Sequence, residues 1–425
     1  MRTSAALAAV TCILFPWVLF AAAAPPPTTQ LAPARAGSLA ALPSPPGDHV
    51  AKIQAMPDDA WLDLGPPVPD PRWGSARGRA WGAHMAYAPD LRAAFLFGEG
   101  VHGWWDKQTG RYMDDLWAYD VPAHRWVCVH PGSDVRNLHL RLNEHGIEVN
   151  DAGEPTPVAQ MVHGYQGTTY DTDRHAFMFM PCSGGYWDKS MGDRRMAWLG
   201  KKSNEVARDC SPWLYDTRAG RWDRRPTAAP APRGGFGDVL MYVPALKRVF
   251  LRTAGTEVWW YDPAKNEWSK VSPKGPPPPF GIDPTACYDT KRDRIYIGGG
   301  SYPVAEGRSA LWAYDVRTDT WIDLNPAGQC CGGSNSYNSN IATMTYDRAN
   351  DVVVLNLHKD EKGGRTGLWV YDPAGNAWAD GPRPFPQNMT WKQVNAFYEP
   401  ELNVHVYHSA GDSQLGGTIR VYRWK

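Results

Sequence analysis

One short unit recurs along this chain without drift: Trp-x-Tyr-Asp, five residues, then Trp. It occurs five times, at Trp117-Ala118-Tyr119-Asp120 with Trp126, and again at Tyr215/Trp222, Tyr261/Trp268, Tyr314/Trp321 and Tyr371/Trp378. A fixed unit repeating every ~50 residues is the signature of a repeat architecture, and four-stranded propeller blades have about that period. Each unit reads as a meander. A short strand ends in Tyr and a polar turn, as in Ala286-Cys287-Tyr288-Asp289. An apolar strand follows (Arg294-Ile295-Tyr296-Ile297), then the Trp-x-Tyr-Asp strand, a tight turn and a last strand (Trp321-Ile322-Asp323-Leu324). Turn residues fall where antiparallel hairpins need them.

Matching first-strand tyrosines stand at Tyr87, Tyr170, Tyr242, Tyr288, Tyr346 and Tyr398, which makes six units. The sixth ends early, since Ile419-Arg420-Val421-Tyr422 fills its third strand and the chain stops at Lys425. Ala60-Trp61-Leu62-Asp63-Leu64 matches Thr320-Trp321-Ile322-Asp323-Leu324, so the strand around Trp61 supplies the missing fourth strand. The expected fold is all-β: a six-bladed propeller of four-stranded antiparallel blades, closed into a ring by the N-terminal strand, which removes exposed edges.

The start of the chain reads differently. Arg2, an apolar stretch over residues 5–20 and small residues at 21–24 have the layout of a cleaved signal peptide, residues 1–24. The mature protein is therefore expected to be secreted or periplasmic. Residues 25–57 are rich in Pro, Ala and Gly and read as a disordered linker before the propeller at 58–425. No segment of the mature chain is long and apolar enough to span a bilayer. Lys+Arg equals Asp+Glu at 44 each, which gives no general field for nucleic acid or an anionic surface.

The Tyr-Asp-x5-Trp pattern, preceded by glycines such as Gly298-Gly299-Gly300, resembles the kelch repeat and is similar to the central propeller domain of galactose oxidase. The resemblance covers residues 58–425. Glycine pairs remain at Gly184-Gly185, Gly298-Gly299, Gly363-Gly364 and Gly416-Gly417, in variable positions. The resemblance implies a kelch-type propeller. It leaves function open, because such propellers include enzymes, binders and scaffolds.

Loop lengths pick a face. The turns after the first and third strands are uniformly short. Nearly all length variation falls in the second-to-third turns and the blade connections, at residues 98–115, 133–160, 183–209, 325–340 and 358–366. Long loops on one side of a rigid scaffold are where binding is usually built. Inner-strand starts and second-strand ends on that side include His84, Arg233, Asp238, Asn395, Glu99 with His102, Asp283, Asn338 with Asn340, Lys392 and His408. Trp104 and Trp105 lie beside them. Planar polar groups next to aromatic platforms suit a glycan or another polar small molecule. A protein partner is the third reading. Any one of these histidines is equally at home as a solvated or hydrogen-bonded structural residue, and Asp238 as a carboxylate holding backbone N–H groups.

Two enzyme readings follow from the resemblance, which extends to sugar mutarotases and some polysaccharide lyases. In the first, His163 or Tyr165 is a base while Arg252 neutralises a uronate, with His358 beside them. In the second, galactose-oxidase copper chemistry needs a Cys-modified Tyr, a second Tyr and two His. Only Tyr407-His408 pairs Tyr with His, and it falls on a second strand instead of an inner one, with no Cys partner. No cofactor is expected. The cysteine reading places a disulfide between Cys182 and Cys210, which flank a 27-residue loop in blade 2. Cys330-Cys331 reads as a vicinal disulfide or two thiols, and Cys128 and Cys287 as unpaired.

Overall fold

The structure is a computed structural model. It describes residues 37–425 except 80–81, 83, 99–105, 107–108, 159, 162–163, 182–190, 202–210, 225, 236, 279–283, 300–310, 329–340, 358–366, 380–382, 387–393 and 412–413. Six four-stranded antiparallel sheets form the blades of a propeller. The inner strands are Ala86–Ala88, Thr168–Asp171, Val239–Val243, Pro284–Asp289, Ile341–Asp347 and Val394–Glu399. Each touches the next, and the sixth touches the first, so the ring is closed. In blade 6 the fourth strand is Ala60–Gly65, which pairs with Thr418–Arg423.

The motif works through register. In every blade the Trp of the fourth strand lies directly opposite the Tyr of the third: Tyr119 and Trp126, Tyr215 and Trp222, Tyr261 and Trp268, Tyr314 and Trp321, Tyr371 and Trp378. Tyr422 and Trp61 repeat the pairing across the chain ends. Such cross-strand aromatic pairs are a main unit of sheet stabilisation.

The short hairpins share a second rule. The residue five after each first-strand tyrosine is left-handed: Arg92, His175, Lys247, Asp293, Asp351 and Asn403, with φ between 46° and 58°. The third-to-fourth strand turns do the same at His124, Gly220, Asn266, Asp319 and Asn376. Left-handed backbone costs an L-residue about 1–2 kcal/mol, least for Asn and Asp. Where Asn or Asp holds the position, a hydrogen bond from the tyrosine offsets that cost. Tyr261 donates to Asn266 Oδ1 at 2.8 Å, Tyr314 to Asp319 Oδ1 at 2.5 Å, and Tyr371 to Asn376 Oδ1 at 2.9 Å. In blade 6 Asp59 stands in for the missing residue: its φ is 52°, and Tyr422 donates to its Oδ1 at 2.6 Å. The N-terminal strand thus brings its own turn residue with it. Where an Asp follows the Tyr it caps the same turn, except Asp120, whose carboxylate takes Ser44 and Arg125 instead. Asp289 Oδ1, for example, accepts from Lys291 N at 2.8 Å and Arg292 N at 3.1 Å.

Part of the stretch read as a linker is folded onto the propeller. Gly37–Leu39 forms a 3-10 turn and Asp48–Gln54 a short α-helix, α1. Leu39 and Leu42 pack into the core shared by blades 1 and 2, and Val50, Ile53 and Met56 into the core shared by blades 6 and 1. Gly47 N also donates to Pro122 O at 2.8 Å. The linker expectation is therefore corrected for residues 37–57. The high Pro and Ala content masked five apolar residues spaced to bury themselves.

The 133–160 connection carries a small hairpin, Arg141–Leu142 with Glu148–Val149, against α2, Met191–Leu199. Behind it, Glu148 is buried and held by Arg195 Nε at 2.7 Å and Gln160 Nε2 at 2.9 Å. The Arg195 charge keeps the Glu148 carboxyl below its usual range despite burial, which pushes the other way. Cys128 and Cys287 are buried free thiols, as read from sequence. Cys182, Cys210, Cys330 and Cys331 lie outside the described residues. No helix among the described residues is long and apolar enough to cross a membrane.

Candidate functional site at the long-loop end of the channel

From the short-turn side, a cavity of about 280 Å³ runs into the ring axis. The six inner-strand tyrosines line it, with Pro89, Thr172, Pro244, Thr290, Arg348 and Pro400 at its rim. It reaches as deep as His84, where a hydrogen-bonded plug forms. Ala286 N donates to Gln166 Oε1 at 3.1 Å, which turns the Gln166 amide nitrogen toward His84 Nδ1. His84 Nδ1 must then accept, and its Nε2–H donates to Thr168 Oγ1 at 3.0 Å. Burial pulls the His84 pKa down to about 4, which fits the neutral ring this chain of bonds requires. One Gln side chain thereby ties blades 1, 2 and 4 across the axis. His84, expected at an open mouth, is part of the plug.

The inner strands converge on the long-loop side of that plug. Parallel bridges join Gly82 to Tyr165, His84 to Ala396 and Gln166 to Val239. At the seam of blades 6 and 1 three buried polar side chains gather. His408 lies opposite Asn395 in the strand register, and Asn395 Nδ2 presses against Gly82, where an added Cβ would sit 2.2 Å away. His408 Nε2 donates to Gly416 O at 3.0 Å, and its ring stands edge-on to Trp126 at 5.1 Å. Nδ1 is then a bare acceptor, buried and without a partner. Burial lowers the His408 pKa to about 4, with the nearby Arg79 charge acting in the same direction. Arg79 is 1% exposed, donates to Asp115 Oδ1 at 2.7 Å and Arg77 O at 3.1 Å, and leaves Nε without a partner. Asn395 Oδ1 is likewise buried and unpartnered. Native interiors pair nearly all such groups with protein, water or ligand.

The remaining sequence candidates separate. Tyr165 is buried, with a left-handed φ of 33°, and its bridge to Gly82 holds blade 2 to blade 1. Arg252 is 2% exposed at the end of Arg248–Arg252, next to Asp238 in blade 3. Asp238 holds the surrounding loops: its carboxylate accepts from Gly235 N and Ala254 N, each at 2.8 Å. Burial outweighs Arg252 and both hydrogen bonds, raising Asp238 to about 7. Glu99, His102, Trp104, Trp105, His163, Asp283, Asn338, Asn340, His358 and Lys392 lie outside the described residues. Among the described residues no three His, Cys, Asp or Glu side chains cluster as metal ligands would.

Sequence reasoning missed Arg79 and Gln166. Both precede inner strands by a few residues, the same positional signal that picked out His84, but neither is a residue type that draws notice as a catalyst. Compared with protein-family models and with curated proteins, the chain matches none.

Proposed function

We propose that this protein is an exported kelch-type propeller that binds a carbohydrate or similarly polar ligand at the long-loop end of its channel. The observation that carries the reading is the Arg79–Asn395–His408 cluster, with an unpartnered donor and two unpartnered acceptors in one buried place. Leaving a buried polar atom unsatisfied costs about 1–3 kcal/mol, so a ligand that supplies both acceptor and donor hydroxyls gains from meeting them. The plug of His84 and Gln166 gives the site a rigid base. Trp104, Trp105, His102 and Lys392, singled out from sequence, are the side chains proposed to reach the ligand. Export rests on Arg2, the apolar run and the small residues at 21–24.

The test is a glycan array and thermal-shift screen of the mature chain, with an ultraviolet assay for unsaturated uronate release run alongside. Binding lost in Asn395→Ala, with no product formed, supports the reading. Product formation moves the protein to a lyase. Silence in both assays removes the polar-ligand reading and leaves a protein partner.

A further inference from the structure

The turn rule fails in one blade. Where the other third-to-fourth strand turns carry His, Asn or Asp five residues after the motif tyrosine, blade 2 carries Gly220, with φ 68°. Tyr215 therefore loses its expected acceptor, and its hydroxyl makes only a long 3.5 Å approach to Val129 O. Tyr215 and Gly220 instead line a groove of about 730 Å³ between the outer strands of blades 1 and 2, bordered by residues 150–156, the turn that follows the inserted hairpin.

We propose that this groove binds a neutral, hydroxyl-rich ligand of roughly disaccharide size. It is a second site, separate from the channel end, and does not depend on that reading. Its volume falls in the usual range for small-ligand pockets, about 300–1,000 Å³. The floor is aromatic: Tyr215 and Trp222 meet edge to face at 5.2 Å, and His130 stands edge-on to Trp222 at 6.2 Å. His130 Nε2 is buried without a partner. One wall is fixed by Asp114, which accepts from Ser133 N at 2.7 Å and Ser133 Oγ at 2.6 Å. The opposite wall is held by Asn150, whose N donates to Glu154 O at 3.0 Å.

Charge bookkeeping favours a neutral ligand. Asp134 is engaged by Arg136 and by Asn137 Nδ2 at 3.2 Å, Asp151 by His139 at 3.2 Å, and Glu154 by Asn150 Nδ2 at 3.0 Å. Arg111 donates to Gly132 O at 2.6 Å and stacks on Trp73. Three carboxylates in the lining repel an anion. Besides the exposed Arg221 guanidinium, what faces the groove is amide, hydroxyl, imidazole and ring edge, groups that serve as donor and acceptor alike.

The experiment is ligand-observed saturation-transfer NMR on the mature chain with cellobiose, maltose, lactose, xylobiose and chitobiose. Gly220→Asn gives blade 2 the side chain that blades 3 and 5 already carry, in a conformation Asn tolerates, and refills the floor. At least one disaccharide is expected to bind the parent protein and to weaken about tenfold in Gly220→Asn. Tyr215→Phe is expected to weaken the same sugar, while Asn395→Ala at the channel end leaves it unchanged. The proposal is overturned if no disaccharide binds the parent protein, if both groove variants bind as the parent does, or if Asn395→Ala alone removes binding.

Discussion

His408 offers a prediction whose sign can be worked in advance. Its ring is fully buried, edge-on to Trp126, and neutral because Nδ1 has no partner that would stabilise a proton. Burial lowers its pKa from 6.5 to about 4, a difference worth roughly 3 kcal/mol. A base whose folded value lies below its unfolded one binds its proton first in the unfolded chain. The stability that neutral His408 contributes is therefore complete above pH 6.5. It drains away as pH falls and is gone near pH 4. His408→Gln keeps a donor for Gly416 O and removes the titration. At neutral pH the variant should be less stable by about 1 kcal/mol, through poorer packing on Trp126. At about pH 4.5 the order should reverse, with the variant ahead by about 1–2 kcal/mol. His84, His124 and His130, also lowered to about 4 by burial, titrate in both proteins and cancel in the difference. Urea unfolding followed by tryptophan fluorescence across this pH range reads the difference directly. A gap between the two proteins that stays constant with pH would refute the buried neutral assignment.

Three further outcomes follow from the fold. Asp59→Ala removes the acceptor of Tyr422 at the ring closure and should cost about 1–2 kcal/mol in thermal melts, whereas Asp59→Asn, the residue found in blades 3 and 5, should stay near the parent. Ile53→Ala should cost about 2–5 kcal/mol, because Ile53 is 1% exposed in the core of blades 6 and 1; a free linker would show no change. Gly78→Ala places a Cβ 2.1 Å from Gly411 O and 2.8 Å from Ala410 O, both backbone atoms, so it should lower the yield of folded protein measured by size exclusion, and a normal yield would show that the loop can yield.

The blades and their closure were legible because one motif encodes both packing and turn geometry. Tyr and Trp had to meet across the strands, and Trp61 had to find Tyr422, once the sixth unit was seen to lack a strand. The folded segment 37–56 was not legible. Leu39 and Leu42 sit among prolines and alanines, and their burial depends on a groove that exists only after the ring has formed. Site residues were only partly legible. A His at the head of an inner strand looks the same whether it faces a ligand or closes a plug. For His84 the answer lay in Gln166, more than eighty positions away, and in the backbone N–H of Ala286. Arg252 and Asp238 stand apart in sequence, yet both are buried at the same end of blade 3, where Arg252 lies in register with Val239, the residue after Asp238.

A repeat protein carries its own control experiment, since each blade shows what the local chemistry does by default. In the third-to-fourth strand turns the tyrosine-to-turn bond forms with His124, Asn266, Asp319 and Asn376, so its loss at Gly220 is a departure specific to blade 2. A second departure falls in the same place: residues 150–156, the turn that follows the inserted hairpin, border the same groove as Gly220. Neither alone makes a groove. A missing turn side chain without that border leaves only a shallow dent, and a border beside a filled turn encloses little. Blade 3 carries no such insertion among its described residues. Asn266→Gly there removes the bond to Tyr261 and should lower stability by about 1 kcal/mol, yet create no saccharide binding when the blade 2 groove is refilled by Gly220→Asn. Binding that appeared in such a double variant would mean the turn residue alone makes the site, and the 150–156 turn would lose its assigned role.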